Sequence, residues 1–183
     1  MRLIVILFTT AFITQYSHAS YQVSLAWSHI TRTANYEISS EVKSEETRSP
    51  MEIKFGSVLS NKIYLGGIYN IGTRTVSSTS LTRTEKLTAY GATIGYDLAD
   101  WYVHLSYYLS AELDTDDDNI FKEGSGFQVD IGKKFKWGSV FVIPQIAYSS
   151  LSFKIRDNNG TEADVDSSSF GGIIPQIAFM YEF

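Results

Sequence analysis

The chain has 183 residues, a formal net charge of −5 and no cysteine, which excludes a disulfide framework and a lipidated N-terminal cysteine and argues against nucleic acid as a partner. Beyond the N-terminus no stretch approaches the roughly 18 apolar residues of a membrane-spanning helix. Aromatic residues still make up 14% of the sequence and prolines number three, a balance that fits strands with two different faces.

The first residues read as a targeting segment. Arg2 supplies a positive start, Leu3 to Ile13 is apolar apart from two threonines, and Ser17 and Ala19 are the small residues a signal peptidase requires. A signal peptide over 1–19 is therefore expected, cut between Ala19 and Ser20, which leaves one domain over 20–183.

Alternation with a period of two then recurs along the chain. Tyr21, Val23, Leu25 and Trp27 alternate with Gln22, Ser24, Ala26 and Ser28, and a polar stretch follows from Thr31 to Pro50. Met51, Ile53 and Phe55 alternate with Glu52, Lys54 and Gly56 up to a tight turn at Ser60-Asn61-Lys62. Ile63, Leu65, Gly67, Tyr69 and Ile71 mark the third strand, and a Ser/Thr-rich arc from Thr73 to Thr84 leads to Tyr90, Ala92, Ile94 and Tyr96. After a turn at Ala99 and Asp100, Trp101, Val103, Leu105, Tyr107 and Leu109 form the fifth strand, followed by an acidic stretch from Glu112 to Glu123. Phe127, Val129 and Ile131 make the sixth, and a short connection near Lys136 and Gly138 precedes Val142, Pro144, Ile146 and Tyr148. A last polar stretch from Arg156 to Ser168, with the turn pair Asn159-Gly160, opens onto the eighth strand.

Antiparallel strands in this order put all the short turns at one end and all four polar stretches at the other. A β-sandwich has no reason to sort its connections so. The fold class expected is all-β: an eight-stranded antiparallel up-and-down transmembrane β-barrel with short periplasmic turns and four long extracellular loops. Aromatics fall in two belts, with Tyr21, Tyr96, Trp101, Phe135, Trp137, Tyr181 and Phe183 near the turns, and Trp27, Tyr69, Tyr107, Phe127 and Tyr148 toward the loops. Pro144 and Pro175 sit in two similar heptapeptides and each removes a ladder donor, which predicts a local bulge or irregular pairing.

The terminal strand, Ile173 to Phe183, carries the most specific signal. Gln176, Ala178, Tyr181 and Phe183 resemble the C-terminal assembly signal of bacterial outer-membrane barrels: a polar residue, a small one, then aromatics two apart. Ala178 stands where that family usually has glycine. With the leader and eight strands, the whole mature chain resembles the small outer-membrane β-barrel proteins of the porin family, namely the OmpA transmembrane domain and the OmpX and Ail type. The resemblance implies a place in the outer membrane of a Gram-negative bacterium, among outer-membrane lipids and lipopolysaccharide. It also implies insertion by the barrel assembly machinery and a monomeric state. The work expected is structural or adhesive, with an extracellular ligand met through the loops. No cofactor, metal site, catalytic site or nucleic-acid partner is expected; the alternatives are a narrow gated pore and a lipid A-modifying enzyme.

Barrels of this size include lipid A enzymes, and two patterns in the chain bear comparison with them. His104 and Ser106 stand two apart, as in the lipid A deacylase, and Glu112 could complete a triad; but Tyr107-Tyr108 replaces the residues that follow the serine there. His104 is expected instead as a hydrogen-bonded interior residue. His29 and Ser77 could be placed like the palmitoyltransferase residues, yet no acid lies between Thr73 and Thr84. Asp114, Asp116 and Asp118 begin like a calcium loop, but Asn119 and Ser125 occupy the positions of its glycine and glutamate. Strand parity sends Glu52, Lys54, Gln128, Asp130, Gln145, Gln176 and Glu182 to the interior, where Lys54 requires an acid such as Glu52, Asp130 or Glu182. An eight-stranded barrel is just wide enough for such side chains to fill it.

Overall fold

The computed structural model describes residues 19–35, 43–77, 82–116 and 119–183. Residues 1–18 of the expected signal peptide, and Asp118 of the acidic stretch, lie outside the described residues. Ten strands run in chain order: β1 (Ser20–Trp27), β2 (Ile30–Asn35), β3 (Lys43–Val58), β4 (Ile63–Ser77), β5 (Thr82–Asp97), β6 (Trp101–Thr115), β7 (Asn119–Lys133), β8 (Phe135–Trp137), β9 (Val140–Asn158) and β10 (Thr161–Glu182). Every pairing is antiparallel, and the described residues include no helix.

The pairings close on themselves. From β1 they pass through β3, β4, β5, β6, β7 and β9 to β10, and β10 pairs back onto β1 over Gln22↔Glu182 to Trp27↔Ile177. Two strands are interrupted rather than additional: β2 continues the line of β1 along β3, and β8 continues that of β7 along β9. The result is a ring of eight antiparallel strands, which leaves no open edge where it is closed. Tight turns join the strands at one end, with Lys62 and Gly138 in the left-handed region at φ 68° and 64°.

Alternation sets the two faces. All the residues of the two aromatic belts are exposed on the outside, while Gln22, Ala26, Glu52, Lys54, Asn70, His104, Asp130 and Gln176 are buried within. Two apolar clusters also lie inside. One joins Ile68, Leu87, Ala89, Tyr108, Ala111, Leu113, Leu151 and Phe153; the other joins Ala26, Tyr102, Ile143, Ala178 and Met180.

The polar stretches are not the long loops that the sequence suggested. Pairing continues through most of them, from Glu45↔Ser77 and Ser77↔Thr82 to Asp114↔Ile120 and Asn158↔Thr161. Apolar alternation stops there, but the backbone ladder needs only cross-strand partners, supplied by pairs such as Thr31–Thr47 and Thr75–Thr84. The Asn159-Gly160 pair closes the longest hairpin with both residues at positive φ. Above Trp27↔Ile177, among the described residues, β2 pairs only with β3, and β10 only with β9, so the ring opens upward into a sheet.

Of the two outcomes expected at Pro144 and Pro175, the structure shows irregular pairing and no bulge in their shared ladder. β9 and β10 stay in register through Pro144 and Pro175, and register shifts occur elsewhere, between Asp164 and Ser168 and at Tyr108/Ala111. The irregularity falls on the neighbouring strand instead. Mutual bonds between Tyr21 and Phe183, followed by alternation, turn the missing donor of Pro175 toward the point where β1 ends. Pro144 lies opposite the break between β7 and β8, and Pro50 opposite the break between β1 and β2. Pro175 thus stands where a donor would have had no strand partner, and the Pro50 carbonyl accepts from the Ser28 amide at 3.1 Å. Ser28 donates across one such gap to the Pro175 carbonyl at 2.7 Å, and Arg48 to that of Gly171 at 2.8 Å.

Candidate functional site

The interior is built in layers, each set by strand parity. In the middle, Lys54 lies 2.9 Å from Glu52 and 2.6 Å from Asp130, and all three are buried. Gln128 donates to both carboxylates, at 2.7 Å to Asp130, and accepts from the Tyr108 hydroxyl at 2.7 Å; Asn70 in turn donates to that hydroxyl at 3.2 Å. The pairing proposed for Lys54 is therefore made with two of its three candidates. Glu182 is instead exposed at the turn end, where Ser20 donates to it at 2.6 Å.

Below this layer His104 is clamped between Tyr64 and Tyr102, with ring centroids 4.4 and 4.3 Å away. Its two ring nitrogens have no hydrogen-bond partner among the described residues, which corrects the expectation of a hydrogen-bonded histidine: stacking holds the ring. Inward-facing glycines make room. A Cβ on Gly95 would collide with the His104 ring, and one on Gly56 would lie 2.7 Å from the Tyr64 ring. Lys134 and Asp97 form a further buried ion pair toward the turns, and Tyr102 donates to Gln145, which donates to Gln176 at 2.5 Å.

Above the middle layer, beyond the outer apolar band, Glu46 gathers three guanidinium groups. Arg48 and Arg74 approach one carboxylate oxygen at 2.5 and 2.8 Å, and Arg32 the other at 2.8 Å. Burial alone would raise this carboxyl, but hydrogen bonds from Arg48 and Arg32 and the charges of Arg48 and Arg74 outweigh it and hold it below its ordinary value. Arg48 and Arg74 also lie over the Phe170 ring, at 5.6 and 5.8 Å.

The catalytic patterns are not assembled. His104 and Ser106 both face inward, but the Ser106 hydroxyl pairs with Thr93 at 2.7 Å. A bulge after Tyr108 reverses the parity of β6, so Ala111 and Leu113 point in and Glu112 points out. His29 is bonded to Ser49 at 2.7 Å on the outside. Asp116 accepts the Thr84 amide at 2.5 Å, and among the described residues no group of three His, Cys, Asp or Glu side chains could hold a metal.

Of the four residues expected to form an assembly signal, Gln176 and Ala178 are buried inside while Tyr181 and Phe183 are exposed, their rings 5.9 Å apart. Ala19 directly precedes β1, which begins at Ser20. The inward tyrosines Tyr64, Tyr102 and Tyr108 carry no signal in the sequence that separates them from strand aromatics facing outward. Leu151 and Phe153 were missed because they alternate in the opposite phase to Val142–Tyr148.

No family model matches this sequence, and no curated protein matches it. Among solved structures, the chain is similar to the β domain of the Bordetella autotransporter BrkA, at 10% identity and TM-score 0.45, covering 90% of this chain and 98% of that one. It is also similar to the translocator domain of the autotransporter NalP from Neisseria meningitidis, at 13% identity and TM-score 0.42, over 98% and 68% of the two chains. OmpT, an outer membrane protein of Vibrio cholerae, gives 13% identity and TM-score 0.36 over 92% of this chain and 53% of its own. These likenesses are distant, and the architecture described above rests on the chain's own pairing.

Proposed function

We propose that this protein is an integral β-barrel of the outer membrane of a Gram-negative bacterium, of the small OmpA, OmpX and Ail kind, with a structural or adhesive role. The inversion of its faces carries this conclusion. Leu109, Ile173 and Trp137 are 65, 67 and 73% exposed, whereas Asp130 and Lys54 are 0 and 3% exposed. Exposed apolar area costs roughly 25 cal/mol per Å² in water, and burying ions costs more again. Both costs are met if the outside is hydrocarbon and the inside a paired polar core.

The interior acts as a plug rather than a channel. Two cavities inside it, one beside His104 and one beside Arg48 and Phe170, measure about 10 and 20 Å³, room for a water molecule at most. The narrow-pore alternative requires a water path through the Lys54 layer. No catalytic role is proposed, because the triad of His104, Ser106 and Glu112 is split between two faces. Lipopolysaccharide and outer-membrane lipids surround the strands, the assembly machinery reads Gln176, Ala178, Tyr181 and Phe183, the leader is cut between Ala19 and Ser20, and the extended hairpins meet any extracellular ligand.

The test is membrane fractionation combined with gel migration of unheated and boiled samples. Recovery in the outer membrane, with a heat-modifiable folded form, is the expected result. Recovery in the soluble periplasm, with identical migration of the two samples, would overturn the proposal.

A further inference from the structure

The outer face carries a groove of about 740 Å³, within the roughly 300–1,000 Å³ of sites that take small apolar ligands. Its residues follow from the register. Trp27 pairs with Ile177, Ile177 with Pro144, and Trp101 with Lys133; Pro144 lies one step beyond Gln145, the partner of Gly132. Trp27 and Trp101 therefore stand at the two ends of a line that crosses β10, β9 and β7, and the compact Pro144 and Pro175 rings lie between them. The wall dips because bulky side chains flank a low apolar floor. Among the described residues no acidic side chain lines it.

One end carries a positive charge. The Lys133 ammonium lies 5.5 Å from the Trp101 ring centroid and 5.4 Å from that of Phe135, so two rings hold a cation on the outside at the turn end. A cation so placed at the edge of an apolar band faces the level of lipid headgroups.

We propose that this groove is a site for an anionic phospholipid, with an acyl chain lying along Pro144, Pro175, Ile146 and Ile177 and its phosphate on Lys133. The proposal rests on the membrane reading above and adds a selective lipid to it. The test uses a Trp27→Phe/Trp137→Phe background, in which Trp101 is the one remaining tryptophan, reconstituted into phosphatidylcholine vesicles. Brominated phosphatidylglycerol or brominated phosphatidylethanolamine is added at equal mole fraction, and Trp101 quenching is measured. Preference for the anionic lipid should be about fivefold, the effect of one cation beside an anionic surface. Lys133→Gln should abolish the preference, and Lys136→Gln, outside the groove, should preserve it. Equal quenching by the two lipids, or a preference that survives Lys133→Gln, overturns the lipid site and leaves the barrel standing. A dimer that shields Trp101 from every lipid also overturns it, in favour of a second copy. Failure to enter vesicles at all, with no heat-modifiable form, removes the membrane reading itself.

Discussion

Lys54 holds two buried carboxylates that would otherwise face each other without a counter-ion. Lys54→Met should therefore cost on the order of 3 kcal/mol, read as a lower urea midpoint of the folded form. Lys54→Met/Asp130→Asn, which removes one of the stranded acids, should recover part of that loss. No difference between single and double variants would mean that the layer is hydrated rather than paired. Gly95 tests packing instead of charge. A methyl group there meets the His104 ring, so Gly95→Ala should destabilise by about 1–3 kcal/mol, and His104→Ala added to it should relieve part of the strain. Glu46 gives a pH dependence outside the apolar band. Its carboxyl is held below 4.5, so its stabilising effect is complete above that pH and fades as pH falls through the lower folded-state value. Amide protection around Glu46 should stay constant down to about pH 4.5 and drop below it, and Glu46→Gln should remove the drop.

Among the elements, the terminal strand has two separable faces. Phe183 exchanges both backbone bonds with Tyr21, each 2.9 Å, and its ring stacks on those of Tyr21 and Tyr181 at 6.0 and 5.9 Å. Deleting Phe183 should lower the amount of protein in the outer membrane and raise its degradation, whereas Glu182→Gln, at the exposed rim, should change little. Equal insertion of the deletion and the wild type would reduce the strand to an ordinary amphipathic one. The strand cores around Trp27, Phe55, Ile131 and Ile177 were legible because apolar outward residues impose a period of two. The hairpin extensions were not, because Glu46, Arg48, Arg74 and Glu85 make inward faces out of residue types that a hydrophobic pattern assigns to solvent. Nor was the outward turn of Glu112: the bulge after Tyr108 has no side-chain signature, and one extra residue reverses everything after it.

For the whole molecule, the turns and the hairpins should lie on opposite sides of the membrane. The chain has no cysteine, so single introduced thiols report position cleanly. Asn158→Cys, near the tip of the β9–β10 hairpin, should react with an impermeant maleimide on intact cells. Ser139→Cys, in the β8–β9 turn, should react only after the outer membrane is permeabilised. The reverse pattern would invert the topology, and labelling of both on intact cells would argue against insertion. The interior charges were legible as a group of lumen residues, but their partners were not, because parity gives a face and not a height.

The closing seam has a consequence for how the molecule forms. β1 and β10 meet over the short run from Gln22↔Glu182 to Trp27↔Ile177, and Ser20 touches Glu182 across 162 residues of chain. Neighbouring hairpins can zip locally as the chain emerges, but this contact carries the largest loop-closure penalty and has to wait for the last strand. Until then two strand edges stay unsatisfied, and the half-built cylinder is the species most exposed to mispairing. The seam is thus the final folding step, and the rate of its closure sets how long the chain remains vulnerable.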